Sequence, residues 1–147
     1  MGQQQLLLVI LVTIIVGIAT VVAINTFSSA MSSSNKDAVR TDLATIATNA
    51  HAYYAKPKML GGGGHSFDGF TFHTIAFPAT EVTEDGLHAR NANGIYHIYS
   101  ATASALGIYG EPIVEISESV DINSLVSDSD YFAVTISSDS LIWSHTF

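Results

Sequence analysis

The sequence predicts an α+β protein: one long N-terminal helix, apolar in its first half and amphipathic in its second, packed on a small antiparallel β-sheet head. Three observations predict it. The run Leu6–Ile24 is 19 residues of Leu, Val, Ile and Ala broken only by Thr13, Gly17 and Thr20. Further on, Val39, Leu43, Ile46, Ala50 and Tyr53 recur at spacings of three and four, the period of a helix with one apolar face. After the glycines 61–64 the pattern changes to short alternating segments separated by turn residues. The expected division is a helix over 1–56, with a hydrophobic half at 1–27 and a head-packing half at 36–56, followed by a globular domain at 57–147.

The first element is set by composition. No charged side chain occurs before Lys36, and 19 apolar residues at about 1.5 Å each suffice to cross a hydrocarbon core of about 30 Å. A core helix of a small domain is polar on one face; this one is apolar all round, so lipid or a wholly apolar protein packing must surround it. It does not read as a secretory signal, because no basic residue precedes it and no small-x-small cleavage site follows. It is also a poor simple anchor, lacking the flanking cations that set orientation. The second half of the helix places Lys36, Asp37, Arg40 and Asp42 on the polar face, with Asp37 and Arg40 spaced to pair. Pro57 ends it, since the residue before a proline is pushed out of the helical region.

In the head, Gly61–Gly64 are a loop that lets backbone pass close to its own helix or to a neighbour. A phosphate-cradling role does not fit, because neither a preceding strand nor a following Gly-Lys-Ser/Thr is present. Strands are expected at "FTFHTIAF", where Phe70 and Phe72 alternate; at "GIYHIYSAT", after the Asn93-Gly94 hairpin signal; and at "PIVEISES". A terminal hairpin is expected to turn near Ser138 and Asp139, with Leu141, Trp143, His145 and Phe147 on one face. About four strands result.

Composition excludes several functions. The net charge of −8, with five Lys and Arg, argues against a nucleic-acid surface. Without cysteine there is no disulfide, thiolate zinc site or haem attachment. The six histidines share no metal-ligand spacing, so no metal or other cofactor is expected. "GHSFD" lacks the second glycine of a nucleophile elbow, and no catalytic set emerges. The stretch from Glu111 to Asp130, with Glu115, Glu118, Asp121 and Asp128, breaks the EF-hand pattern and reads as a solvated acidic rim. Tyr53, Tyr54, Tyr96, Tyr99 and Tyr109 read as core or subunit interface.

A helix of this two-part kind joined to a small β-rich head resembles the type IV pilin family. "QLLLVI", Gln5–Ile10, falls where pilins carry a glutamate followed by a Leu-Leu-Ile-Val-Ile run. The resemblance implies that a prepilin peptidase cuts a leader ending in glycine and that the new N-terminal residue is methylated. Met1 is then the processed, methylated end; a rival register cuts between Gly2 and Gln3. It also implies subunit docking through Met1 and Gln5, and a filament core built by Leu6, Leu7, Ile10, Ile14, Ile18, Val21 and Ile24. Two departures stand out. Gln5 replaces the glutamate that pairs with a neighbour's ammonium, and the usual helix-kinking proline is absent, leaving Gly17 as the expected point of any helix melting.

The function implied is that of a structural subunit, not an enzyme. It would wait in the cytoplasmic membrane and then polymerise with itself, through the pilus assembly machinery, into an extracellular filament. A minor pilin or a secretion-system pseudopilin is an alternative within the family. A membrane-anchored extracytoplasmic binding module is an alternative of another class.

Overall fold

The computed structural model describes residues 2–113, 121–123 and 131–146. Helix α1 runs from Gly2 to Ala55 without a break, through both Gly17 and the serine-rich middle. Packing divides the chain inside this helix, residues up to Ser34 forming one unit and Asn35–Phe147 the other. The second half of α1 therefore belongs to the head.

The head is α1 laid on one six-stranded antiparallel sheet whose spatial order is its chain order. The strands are β1 (Glu81–Val82), β2 (His88–Arg90), β3 (Gly94–Ala101), β4 (Ala105–Pro112), β5 (Tyr131–Ser137) and β6 (Leu141–Thr146). The helix contributes Val39, Leu43, Ile46, Ala47 and Ala50, all buried. These residues share a core with Ala89, Tyr96, Ile98, Leu106, Ile108, Phe132, Val134 and Ile136 from the sheet. Fully burying Val39, Leu43 and Ile46 is worth about 1.5–3 kcal/mol each. The expected helical stripe is thus the packing stripe, with Tyr53 half-buried at its end.

Where α1 ends, the glycines do the capping. The amides of Gly63, Gly64 and His65 donate to the carbonyls of Tyr53, Lys56 and Tyr54 at 2.8, 2.9 and 2.9 Å. Tyr53 and Tyr54 belong to the last turn, where a helix runs out of its own donors, and Lys56 follows it. A Cβ on Gly63 would lie 2.8 Å from the Tyr53 ring of α1, as well as 1.8 Å from the Ser66 carbonyl oxygen, so backbone passes close to its own helix, as the sequence suggested.

Three expectations need correction. "FTFHTIAF" is a chain of turns, not a strand: Phe72 N–H donates to Gly86 O and Thr74 N–H to Thr71 O. Phe70 and Phe72 are nonetheless buried beside Phe67, so the alternation recorded burial without a ladder. Strand β4 was not anticipated, because Gly107 and Gly110 break the alternation. Both sit close against side chains: a Cβ on Gly107 would meet the Tyr99 ring at 2.3 Å and one on Gly110 would press Val39 at 3.0 Å. Asn93-Gly94 is not a two-residue turn: Gly94 already pairs with Pro112 in β3, and residues 91–93 form the connection from β2. The hairpin at 138–140 is as expected, closed by Ser137 N–H to Ser140 O at 2.8 Å. Of "PIVEISES", Pro112 ends β4, Ile113 follows it, and the rest lies outside the described residues.

Candidate functional site

Each unit offers one chemically distinctive region. In the N-terminal unit it is the apolar half of α1. Gln5, Leu6, Leu7, Ile10, Ile14, Ile18, Val21 and Ile24 are all exposed, and Gly17 has open space around it. Met1 lies outside the described residues. The helix is long and apolar enough to cross a membrane, and none of its most apolar stretch is buried within the chain. Its few polar groups turn inward on the helix itself. The hydroxyl of Thr13 donates to Val9 O, that of Thr20 to Val16 O at 2.8 Å and that of Thr26 to Val22 O at 2.9 Å. A hydroxyl bonded to its own helix asks nothing of the surroundings, which is what hydrocarbon demands. Among Leu6–Ile24 Leu7, Ile10, Ile14, Gly17, Val21 and Ile24 alternate at spacings of three and four along one line of the helix, while the remaining faces are apolar too.

In the head, strand alternation sorts residues onto two faces. Tyr96, Ile98, Ile108 and Val134 face α1; His88, His97, Tyr109 and Glu111 belong to the opposite face. His88 and His97 sit directly opposite each other in the β2–β3 ladder, and His97 opposite Tyr109 in the next. The His88 and His97 Nδ1 atoms are 2.5 Å apart, so one nitrogen must carry the shared proton and the other accept it. His97 stacks on Tyr109 with ring centroids 4.7 Å apart, and Tyr109 continues to Tyr131 at 5.6 Å.

Two groups in this cluster are almost wholly buried, His97 at 1% and Glu111 at 2% exposure. His97 Nε2 and Glu111 Oε2 have no hydrogen-bond partner. Burial penalises the charged form of each. It pushes the Glu111 carboxyl up to about 7. It pushes the His97 imidazole down to about 4, helped by the neighbouring His88. Burial also raises the Tyr109 phenol to about 12, with Glu111 adding to the effect. The cluster can hold and exclude protons; it presents no nucleophile paired with a base. Among the described residues no group of three or more His, Cys, Asp or Glu could hold a metal ion.

This overturns the reading of Glu111 as part of a solvated rim. Of that stretch, Asp121 is exposed and accepts from the backbone and side-chain amides of Asn123, both at 3.0 Å. Glu115, Glu118, Asp128 and Asp130 lie outside the described residues. Asp42 is also corrected. It is not on the solvent face; its Oδ2 accepts from Tyr96 Oη at 2.6 Å and from the amides of Asn91 and Asn93 at 2.8 Å each. That carboxylate ties α1 to the β2–β3 hairpin, and its hydrogen bond, after burial, pushes the Tyr96 phenol above its ordinary range. The Asp37–Arg40 pair forms as expected, at 3.1 Å. The histidine pair was missed because spacing along the chain says nothing of it. Its signal was the hairpin: once Arg90 pairs with Ile95, positions 88 and 97 must face each other.

Compared with protein-family models, with curated proteins and with solved structures, the chain finds no match.

Proposed function

We propose that this chain is the structural subunit of a type IV pilus-like filament, held in the cytoplasmic membrane by the apolar half of α1 and polymerised outside the cell through bundles of those helices. The observation that carries the reading is the wholly exposed, charge-free run Leu6–Ile24 with its hydroxyls bonded back on the helix. Large apolar side chains at about 1.5–3 kcal/mol each make water an untenable surrounding for that run, and lipid first, then like helices, satisfies the same surface. A membrane can hold the subunit because the backbone groups of Leu6–Ile24 lie inside the helix and are paired within it. The acidic, uncharged-helix composition supports an extracytoplasmic head and a helix whose neighbours are copies of itself. In this reading Met1 is the processed, N-methylated end, Gln5 accepts a neighbour's amino group without neutralising it, and a prepilin peptidase and the assembly machinery are the partners.

The test is microscopy and intact mass of material sheared from cells that express the chain. Fibres built of this chain, beginning at methylated Met1, support the reading. A chain beginning at Gln3 keeps the filament and shifts the processing register. Detergent-extractable monomers with no fibres favour a membrane-anchored module and refute the filament.

A further inference from the structure

Asn93-Gly94 reads as a hairpin turn in the sequence, and the structure uses the pair differently. Of the six asparagines, Asn93 alone precedes a glycine. That order matters chemically: a glycine nitrogen has no side chain beside it to shield it, so it can reach the carbon of the preceding side-chain amide. Here each group that such a closure needs is held. The Asn93 side chain donates to Asp42 Oδ2 at 2.8 Å. Its backbone carbonyl accepts from Asn35 Nδ2 and from Ile113 N–H, both at 2.9 Å. The backbone amides of Asn93 and Gly94 both donate to Asn91 Oδ1, at 2.9 and 3.0 Å. Asn91 is tied in turn to Asp42 at 2.8 Å. Gly94 is buried at the start of β3, where a Cβ would meet Glu111 O at 2.2 Å.

We propose that Asn93-Gly94 is a latent self-modification site, and that Asp42 and Asn91 keep it shut in the folded head. When the β2–β3 hairpin opens, the Gly94 nitrogen gives up its proton to solvent and attacks Asn93 Cγ. A new C–N bond closes a succinimide ring, the Cγ–Nδ2 bond breaks, and the side-chain nitrogen takes up a proton and leaves as ammonia. Water then adds to one of the two ring carbonyls and opens the ring, leaving aspartate or isoaspartate at position 93; water is the sole co-reactant, and nothing is oxidised or reduced. In the closed head the step cannot begin, since the attacking N–H is donated to Asn91 Oδ1 and the amide that must leave is bonded to Asp42. The change is one-way, because the ammonia is lost. A carboxylate at position 93 would face Asp42 where a donor stood at 2.8 Å, and like charges at that range repel. The tie from α1 to the hairpin becomes a repulsion, so each chain that has opened is marked and loosened.

The test keeps the full chain in neutral detergent at neutral pH, in water enriched in heavy oxygen, and reads loss of ammonia and uptake of solvent oxygen at each asparagine by peptide mass spectrometry. Folded wild type should keep Asn93 as its amide, and the same chain unfolded in guanidinium should convert there before any other asparagine. A hydrogen bond to a charged group suppresses opening by about tenfold or more, so Asp42→Ala should raise the rate in the folded chain at least about tenfold. Should circular dichroism show that this variant does not fold, Asn91→Ala gives the same readout: it frees the Gly94 amide, leaves Asp42 on Asn93, and should raise the rate several-fold. Asn93→Asp, which carries one product from the start, should lower the thermal midpoint and bring earlier hydrogen exchange of the β2–β3 amides. Conversion in folded wild type as fast as in guanidinium would overturn the proposal. So would a folded Asp42→Ala or Asn91→Ala chain that converts no faster than wild type. An Asn93→Asp head as stable as wild type would overturn the loosening that the modification is proposed to cause.

Discussion

Glu111→Gln should free the head from its sensitivity to rising pH. The carboxyl sits at 2% exposure with Oε2 unpaired, and burial moves it from 4.5 to about 7. Because the folded value is raised, the stabilisation is fully present below pH 4.5 and is lost as pH climbs through 7. The shift of about 2.5 units corresponds to about 3 kcal/mol at about 1.4 kcal/mol per unit. Glutamine keeps the shape and cannot ionise. At pH 4 variant and wild type should therefore agree within about 1 kcal/mol, and at pH 8 the variant should be more stable by about 3 kcal/mol. Urea denaturation of the full chain in neutral detergent, followed by the single tryptophan Trp143, measures both. Subtracting the two curves removes the opposing contribution of His97, which is common to them. Parallel curves from pH 4.5 to 8 would refute the argument that this carboxyl is desolvated.

His97→Phe should act at the other end of the scale. The wild-type ring is held down to about 4 from 6.5, so its contribution is present above pH 6.5 and lost as pH falls toward 4; the variant should lose less stability between pH 6.5 and 4.5 in the same denaturation series. Asp42→Ala removes the acceptor shared by Tyr96, Asn91 and Asn93 and should cost on the order of 3 kcal/mol, with earlier exchange of the β2–β3 amides seen by hydrogen exchange. Leu43→Ala, in a fully buried site on α1, should cost about 2–5 kcal/mol in urea denaturation. Gly63→Ala must displace the Ser66 carbonyl and should lower the thermal midpoint measured by circular dichroism.

What the sequence made legible is what a period can carry. Val39, Leu43, Ile46 and Ala50 repeat with the turn of a helix whether or not their partners are known, and each is buried where the period puts it. Residue type misled where a side chain departs from its usual place. Asp42 adjoins the stripe and, as a carboxylate, reads as solvent-facing, yet its partners come 49 to 54 residues later in the chain. Strand β4 was hidden by Gly107 and Gly110, which lie close against the Tyr99 ring and the Val39 side chain; neither contact is local. His88 and His97 became neighbours only when the register of one hairpin was known, and Glu111 became a buried acid only when the face it shares with them was known. The apolar half of α1 is the opposite case. Its composition was legible at once: it is a surface that no described residue covers, with its hydroxyls already bonded to the helix itself. The lipid and the sister helices of the filament reading are the two surroundings that would complete it.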